Sequence, residues 1–205
     1  MVNADCATSV PGLFVAGDNA SREKAAGAIS GGGNVNSAWA LSSGVFAGQA
    51  AARLAREASS RPAHLEPLGR VGLRPSRRPK ALDLAKVRES VRAEMHPFDK
   101  NLFRSGARLN ASRNVLDSLW TELADHAPAG GLAWREAAAL VAAARWSVAT
   151  AERRNESRGM HRREDFPKAD TQLAIRLLSG GLDRVWVAAD GESPSARSSQ
   201  LEPAL

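Results

Sequence analysis

The residues best suited to chemistry lie near the start of the chain. Thr8–Asp18, TSVPGLFVAGD, passes from a polar pair through the turn pair Pro11-Gly12 into apolar Leu13, Phe14, Val15 and Ala16, and ends on Gly17-Asp18. This pattern predicts a short buried strand that delivers a carboxylate to a sheet edge. Open α/β sheets bind ligands there, outside the carboxyl ends of their strands. An aspartate in that place accepts hydrogen bonds from sugar or polyol hydroxyls. Farther on, Gly31-Gly32-Gly33-Asn34 opens a helical pattern. The first amides of a helix lack partners and carry partial positive charge, and glycines let a ligand come close to them. Such a tip can cap a phosphate or the electron-rich carbonyl edge of a reduced ring. Gly17, Asp18, Gly32, Gly33, Asn34, Val35 and Asn36 are therefore the candidate cofactor-binding residues. Each feature also has a plainer use, the glycines as a turn and the aspartate as a helix cap.

A second cluster, Arg158, His161, Arg162, Arg163, Glu164 and Asp165, contains residue types used in acid–base work. A structural role fits it better: a helix end at Glu156-Ser157-Arg158-Gly159, then mixed charges that lock a helical bundle to a neighbouring domain through ion pairs. No catalytic residue is assigned. His64, His96 and His126 share no metal-ligand spacing, so no metal is expected. The tryptophans (Trp39, Trp120, Trp134, Trp146, Trp186) are expected in the core and at domain interfaces.

The elements that must position these residues follow from periodicity. Val35, Trp39, Phe46 and Ala50 recur at helical spacing from Asn34, and the small residues around them predict a helix packed closely on several sides. Leu84, Val87, Val91 and Met95 mark a second helix. Leu109, Leu116, Leu119, Trp120 and Leu123 mark a third. A fourth runs from Leu132 through Leu140, Val141, Ala144 and Val148, with Gly159 as its C-terminal stop. Ala127–Gly131, APAGG, suits an antiparallel connection between the last two. LAIRLL and RVWVAA flank SGGLD and predict a hairpin.

The chain has 205 residues, 43% of them hydrophobic and 24% charged, which fits a globular protein with a substantial core. No apolar run is long enough to span a membrane and no leader pattern opens the chain, so a cytoplasmic location is expected. The lone cysteine, Cys6, excludes a disulfide framework within these residues. The net charge of +6 is dispersed rather than gathered into a recognition motif, which disfavours a nucleic-acid partner.

Two stretches carry a family resemblance. TSVPGLFVAGD closely resembles the segment before the last flavin contact in flavoproteins with two dinucleotide-binding domains, thioredoxin reductases among them. ERRNESRGMHRREDFPKAD, residues 152–170, resembles the signature of the fumarate reductase/succinate dehydrogenase flavoprotein C-terminal domain, which L-aspartate oxidases share. EMHPFDKNLFRSG, ending at Phe103, Arg104, Ser105 and Gly106, is similar to the inter-helix segment of that domain. The resemblance implies FAD as cofactor, with Asp18 on the ribityl chain and the start of the Asn34 helix at the flavin carbonyl edge. It implies an FAD-dependent oxidoreductase that transfers hydride between substrate and flavin.

The implied fold is α+β and mostly α. Residues 1–58 would be the C-terminal remnant of an FAD-binding α/β domain, 59–80 a linker, and 81–170 a three-helix, spectrin-repeat-like bundle. Residues 171–190 would form a hairpin and 191–205 a disordered tail. The family's GxGxxG turn and capping domain have no counterpart in these residues. The chain is therefore expected to be the C-terminal portion of such an enzyme, inactive alone, with the N-terminal half or an electron-transfer subunit as partner. The alternative is a non-catalytic helical assembly module that partners a separate flavoprotein subunit. Two positions depart from the family pattern. Ser30 stands where the dicarboxylate-clamping arginine would lie, and a hydroxyl cannot replace a bidentate guanidinium. Asp18 stands where Glu is common.

Overall fold

Pro11 and Gly12 form the turn that their types dictate. Leu13 N–H donates to the Val10 carbonyl at 3.1 Å and Gly12 takes a positive φ of 82°, the geometry of a type II turn. The computed structural model describes residues 2–21, 33–57, 81–126 and 131–191. The expected linker at 59–80, the tail from 192 on, Ser30, Gly32 and most of APAGG lie outside the described residues. The chain divides into two compact units, Met1–Leu65 and Glu66–Leu205.

In the first unit the arms on either side of the Pro11-Gly12 turn pair through a single antiparallel bridge, Ala7 with Phe14. Thr8 N–H to Leu13 O and Val15 N–H to Cys6 O flank it. The expected buried strand is thus corrected to a bridge: Leu13 is 49% exposed. A buried strand needs neighbours on both edges, and among the described residues only Cys6–Thr8 lies alongside. The chain then turns through one 3₁₀ turn, Gly17–Asn19.

Helix α1, Gly33–Glu57, follows where the periodicity predicts it. It buries Ser43, Ala47 and Ala50, whereas Val35, Leu41, Val45, Phe46 and Leu54 are exposed, Leu41 at 73%. The expected close packing on several sides is therefore absent among the described residues of this unit. Among the described residues, the face turned to the N-terminal arm is the one that is covered.

The second unit is built on three helices: α2 (Leu84–Met95), α3 (Gly106–His126) and α4 (Leu132–Arg153). Asp83 caps α2 by accepting from Ala85 and Lys86 N–H. Val87 and Val91 of α2, Leu109, Leu116, Trp120 and Leu123 of α3, and Trp134, Val141 and Val148 of α4 form one core. The spacing of three and four residues that predicts the helices also places these side chains on one face. Ala137, Ala138, Ala142, Ala144 and Ala151 are buried along α4, and small side chains there let α3 approach closely. Leu132 and Leu140, expected on the apolar stripe of α4, are exposed.

Between α2 and α3 runs a single turn, Phe98–Asn101, and then β1, Phe103–Arg104. β1 pairs in parallel with β2, Arg162–Arg163. β3 (Leu177–Gly180) and β4 (Trp186–Ala189) form the antiparallel hairpin that SGGLD predicts, with Gly180 opposite Trp186. Gly159 does not stop α4. The helix ends at Arg153, and Gly159, with φ of 57°, sits in a turn closed by the Arg158–His161 bridge. The helix stops earlier because its last carbonyls are taken by side chains from the following segment.

Candidate functional site

Two groups of residues carry chemical potential, one in each unit. In the first, the Gly17–Asn19 turn is fastened to α1 by side chains that sequence spacing did not single out for this role. Ser43, fully buried, accepts from Gly17 N–H at 2.9 Å while its hydroxyl donates to the Trp39 carbonyl at 2.5 Å. The Trp39 indole N–H donates to the carbonyls of Gly17 (3.1 Å) and Ala20 (3.3 Å). Gly17 has φ of 61°, the left-handed region open to glycine. Asp18 is exposed on this turn, Val35 is exposed on the first turns of α1, and Asn36 is half-buried. Gly33 and Asn34 begin the helix; Gly32 lies outside the described residues. The Gly17-Asp18 pair and α1 are thus brought together, with Trp39 and Ser43 as the fastening.

In the second unit, the segment after α4 folds into a charged clasp. Arg163 is buried and bidentate to Asp165, with Nε to Oδ1 and Nη2 to Oδ2 both at 2.8 Å. Its Nη1 faces the carbonyls of Ala151, Glu152 and Arg154 at the end of α4. Asp165 in turn accepts from the first amide of α3, Gly106 N–H, at 2.8 Å. The cation therefore sits at the negative end of one helix dipole and the anion at the positive end of another. Arg163, with the Gly106 amide, holds the Asp165 carboxyl far below the usual carboxylate range against the opposing effect of burial.

Glu156, fully buried, is the second node. It accepts from Arg154 at 2.6 Å, from Arg158 Nε at 3.0 and 3.2 Å, and from Asp170 N–H at 2.8 Å. The Arg158 hydrogen bond, aided by the Asp170 amide and Arg154, lowers its pKa to about 2 although burial works the other way. Arg154 also donates to the Leu173 and Ile175 carbonyls, which leads the chain toward β3. The ion pairs expected to tie the bundle to another domain thus close within this unit.

His161 completes the arrangement. Arg104 Nη1 lies 2.7 Å from His161 Nδ1. A guanidinium only donates, so Nδ1 accepts and the ring proton is on Nε2, which donates to the Arg154 carbonyl at 3.0 Å. Burial, with the charges of Arg104, Arg154 and Arg163, pushes the His161 pKa below its ordinary value. The imidazole thus links the Arg104 guanidinium to the backbone at the end of α4. In the sequence Arg104 stands out only as part of the EMHPFDKNLFRSG stretch; its partner is 57 residues away, and no local spacing signals such a pair. Among the described residues, no group of three or more His, Cys, Asp or Glu is arranged to hold a metal ion. No helix among them is long and apolar enough to cross a membrane.

Antiparallel helices joined by a charged clasp, with β1 and β2 pairing across it, define a helical domain closed by its own C-terminal segment. Residues 100–178, which span β1, α3, α4 and the clasp, match the family described as fumarate reductase flavoprotein C-term. This places the segment in that family, as the ESRG…HRREDFP stretch implied. No curated protein matches the chain.

Proposed function

We propose that this chain is the C-terminal portion of an FAD-dependent oxidoreductase that moves hydride between its substrate and the flavin. The observation that carries the reading is the family match over residues 100–178. The Gly17–Asp18 turn fastened to α1 is compatible with it, because Ser43 and Trp39 occupy the Gly17 backbone while the Asp18 side chain is exposed. Asp18 would hold the ribityl hydroxyls, with Gly17 allowing close approach. Gly32, Gly33, Asn34, Val35 and Asn36 would border the isoalloxazine. FAD, when bound, supplies the hydride chemistry; the protein orients it and excludes water.

Because the residues contain no GxGxxG turn for the pyrophosphate, the chain is inactive without a polypeptide that provides one. That nucleotide-binding half, or an electron-transfer subunit, is the partner, and the location is cytoplasmic. The second reading is a non-catalytic assembly module, its helical bundle partnering a separate flavoprotein subunit. The test is co-expression with a nucleotide-binding half. Asp18→Ala is expected to weaken FAD retention in the complex about tenfold, the size of a lost hydrogen-bond pair. Unchanged retention removes Asp18 from the site.

A further inference from the structure

Between the second half of α4 and β3 lies an open cleft of about 590 Å³, within the range of small-molecule pockets. Ala143, Trp146 and Leu177 give it apolar walls; Ser147, Thr150, Ser179, Arg104, Arg154 and His161 give it a polar side. Arg104 differs from its neighbours in the clasp. Arg154 and Arg158 face Glu156, and Arg163 faces Asp165. Arg104 instead donates to two neutral acceptors, His161 Nδ1 at 2.7 Å and Asn101 Oδ1 at 3.0 Å. Its Nε is buried with no partner among the described residues.

A guanidinium has five N–H donors, and a half-buried one without a counter-charge is expensive to keep. Burial and the nearby Arg163 charge both lower the Arg104 pKa, as expected of a cation with no carboxylate partner among the described residues. An oxyanion in the cleft supplies the missing charge beside the guanidinium that lines it, and the Trp146 and Leu177 walls accommodate an apolar body.

We infer that this cleft is a binding site for a small organic oxyanion, a carboxylate or phosphate group on an apolar body, with Arg104 as its anchor. The inference is independent of the flavin reading, since every residue involved lies in the second unit.

The full chain is titrated with benzoate, and separately with inorganic phosphate, at constant ionic strength while the imidazole resonances of its four histidines are followed. His161→Gln assigns the His161 signal. That signal is expected to shift saturably with a Kd on the order of 1 mM. A response to benzoate alone identifies a carboxylate site and a response to phosphate alone a phosphoryl site; both support the proposal. Arg104→Gln is expected to abolish the shift. Ser147→Glu, a change at an exposed position of α4 that brings a competing carboxylate into the cleft, is expected to weaken binding at least about tenfold with unchanged thermal melting. A His161 signal unmoved by either anion, or a shift that survives Ser147→Glu in full, overturns the proposal.

Discussion

The Arg163 guanidinium meets the carbonyl end of α4, and the Asp165 carboxylate that it holds meets the amide end of α3. Arg163→Lys keeps the charge but loses the fork that reaches both sites, so it should not rescue the clasp. Glu156 is similarly committed. Glu156→Gln places an amide where three donors converge, and is expected to destabilise the second unit by about 3 kcal/mol in denaturant unfolding. Because the Glu156 pKa is lowered from 4.5 to about 2, its contribution is complete above the ordinary value and fades as pH falls toward the folded one. His161 sets a different window. Its pKa is depressed below 6.5 by burial and surrounding arginines, so the folded state resists protonation that the unfolded chain accepts. Stability is therefore full above that ordinary value and declines as pH falls through and below it. Melting temperature should drop between about pH 7 and about pH 5, and His161→Gln, which can still accept from Arg104 and donate to Arg154, should flatten that drop. None of these pairings shows in the sequence beyond the mixed charges themselves, because charge order does not reveal which carboxylate each arginine will face.

At the scale of elements, α1 to α4 were legible because apolar residues at spacings of three and four leave few alternatives to a helix. The hairpin was legible from SGGLD. Gly181 has φ of 85°, and a Cβ there would lie 1.9 Å from the Arg184 carbonyl oxygen, so Gly181→Ala should unfold the hairpin while leaving far-UV helicity intact. The hairpin is anchored by buried Arg145, which bonds Asp117 at 2.6 Å and the Leu182 carbonyl at 2.5 Å and stacks 4.9 Å above the Trp120 ring. Trp146 adds its indole N–H to the Gly181 carbonyl at 2.7 Å. Arg145→Met is expected to cost about 2 kcal/mol and to loosen β3 and β4 first, measurable as faster amide exchange there. The Leu13–Ala16 run forms a single bridge rather than a strand because an apolar tetrapeptide does not specify the strands that would flank it. The β1–β2 pairing was invisible for a related reason: two-residue strands carry no periodicity, and their pairing is set by the clasp.

At the scale of the whole molecule, the two units differ in how completely they bury their apolar residues. The second has a continuous core and pairs Arg154 and Arg158 with Glu156 and Arg163 with Asp165, although Phe98, Leu132 and Met160 stay exposed. The first leaves Leu41, Val45, Phe46 and Leu54 of α1 exposed. Such a face generally meets another surface, which is the role the proposed function gives to a nucleotide-binding half. The most direct measurement is the visible flavin absorbance of the purified chain, alone and in complex with a polypeptide carrying a GxGxxG nucleotide-binding unit. A colourless chain that yields a flavin-containing complex is the predicted result. Stoichiometric flavin on the chain alone, or a complex that forms without flavin, would contradict it.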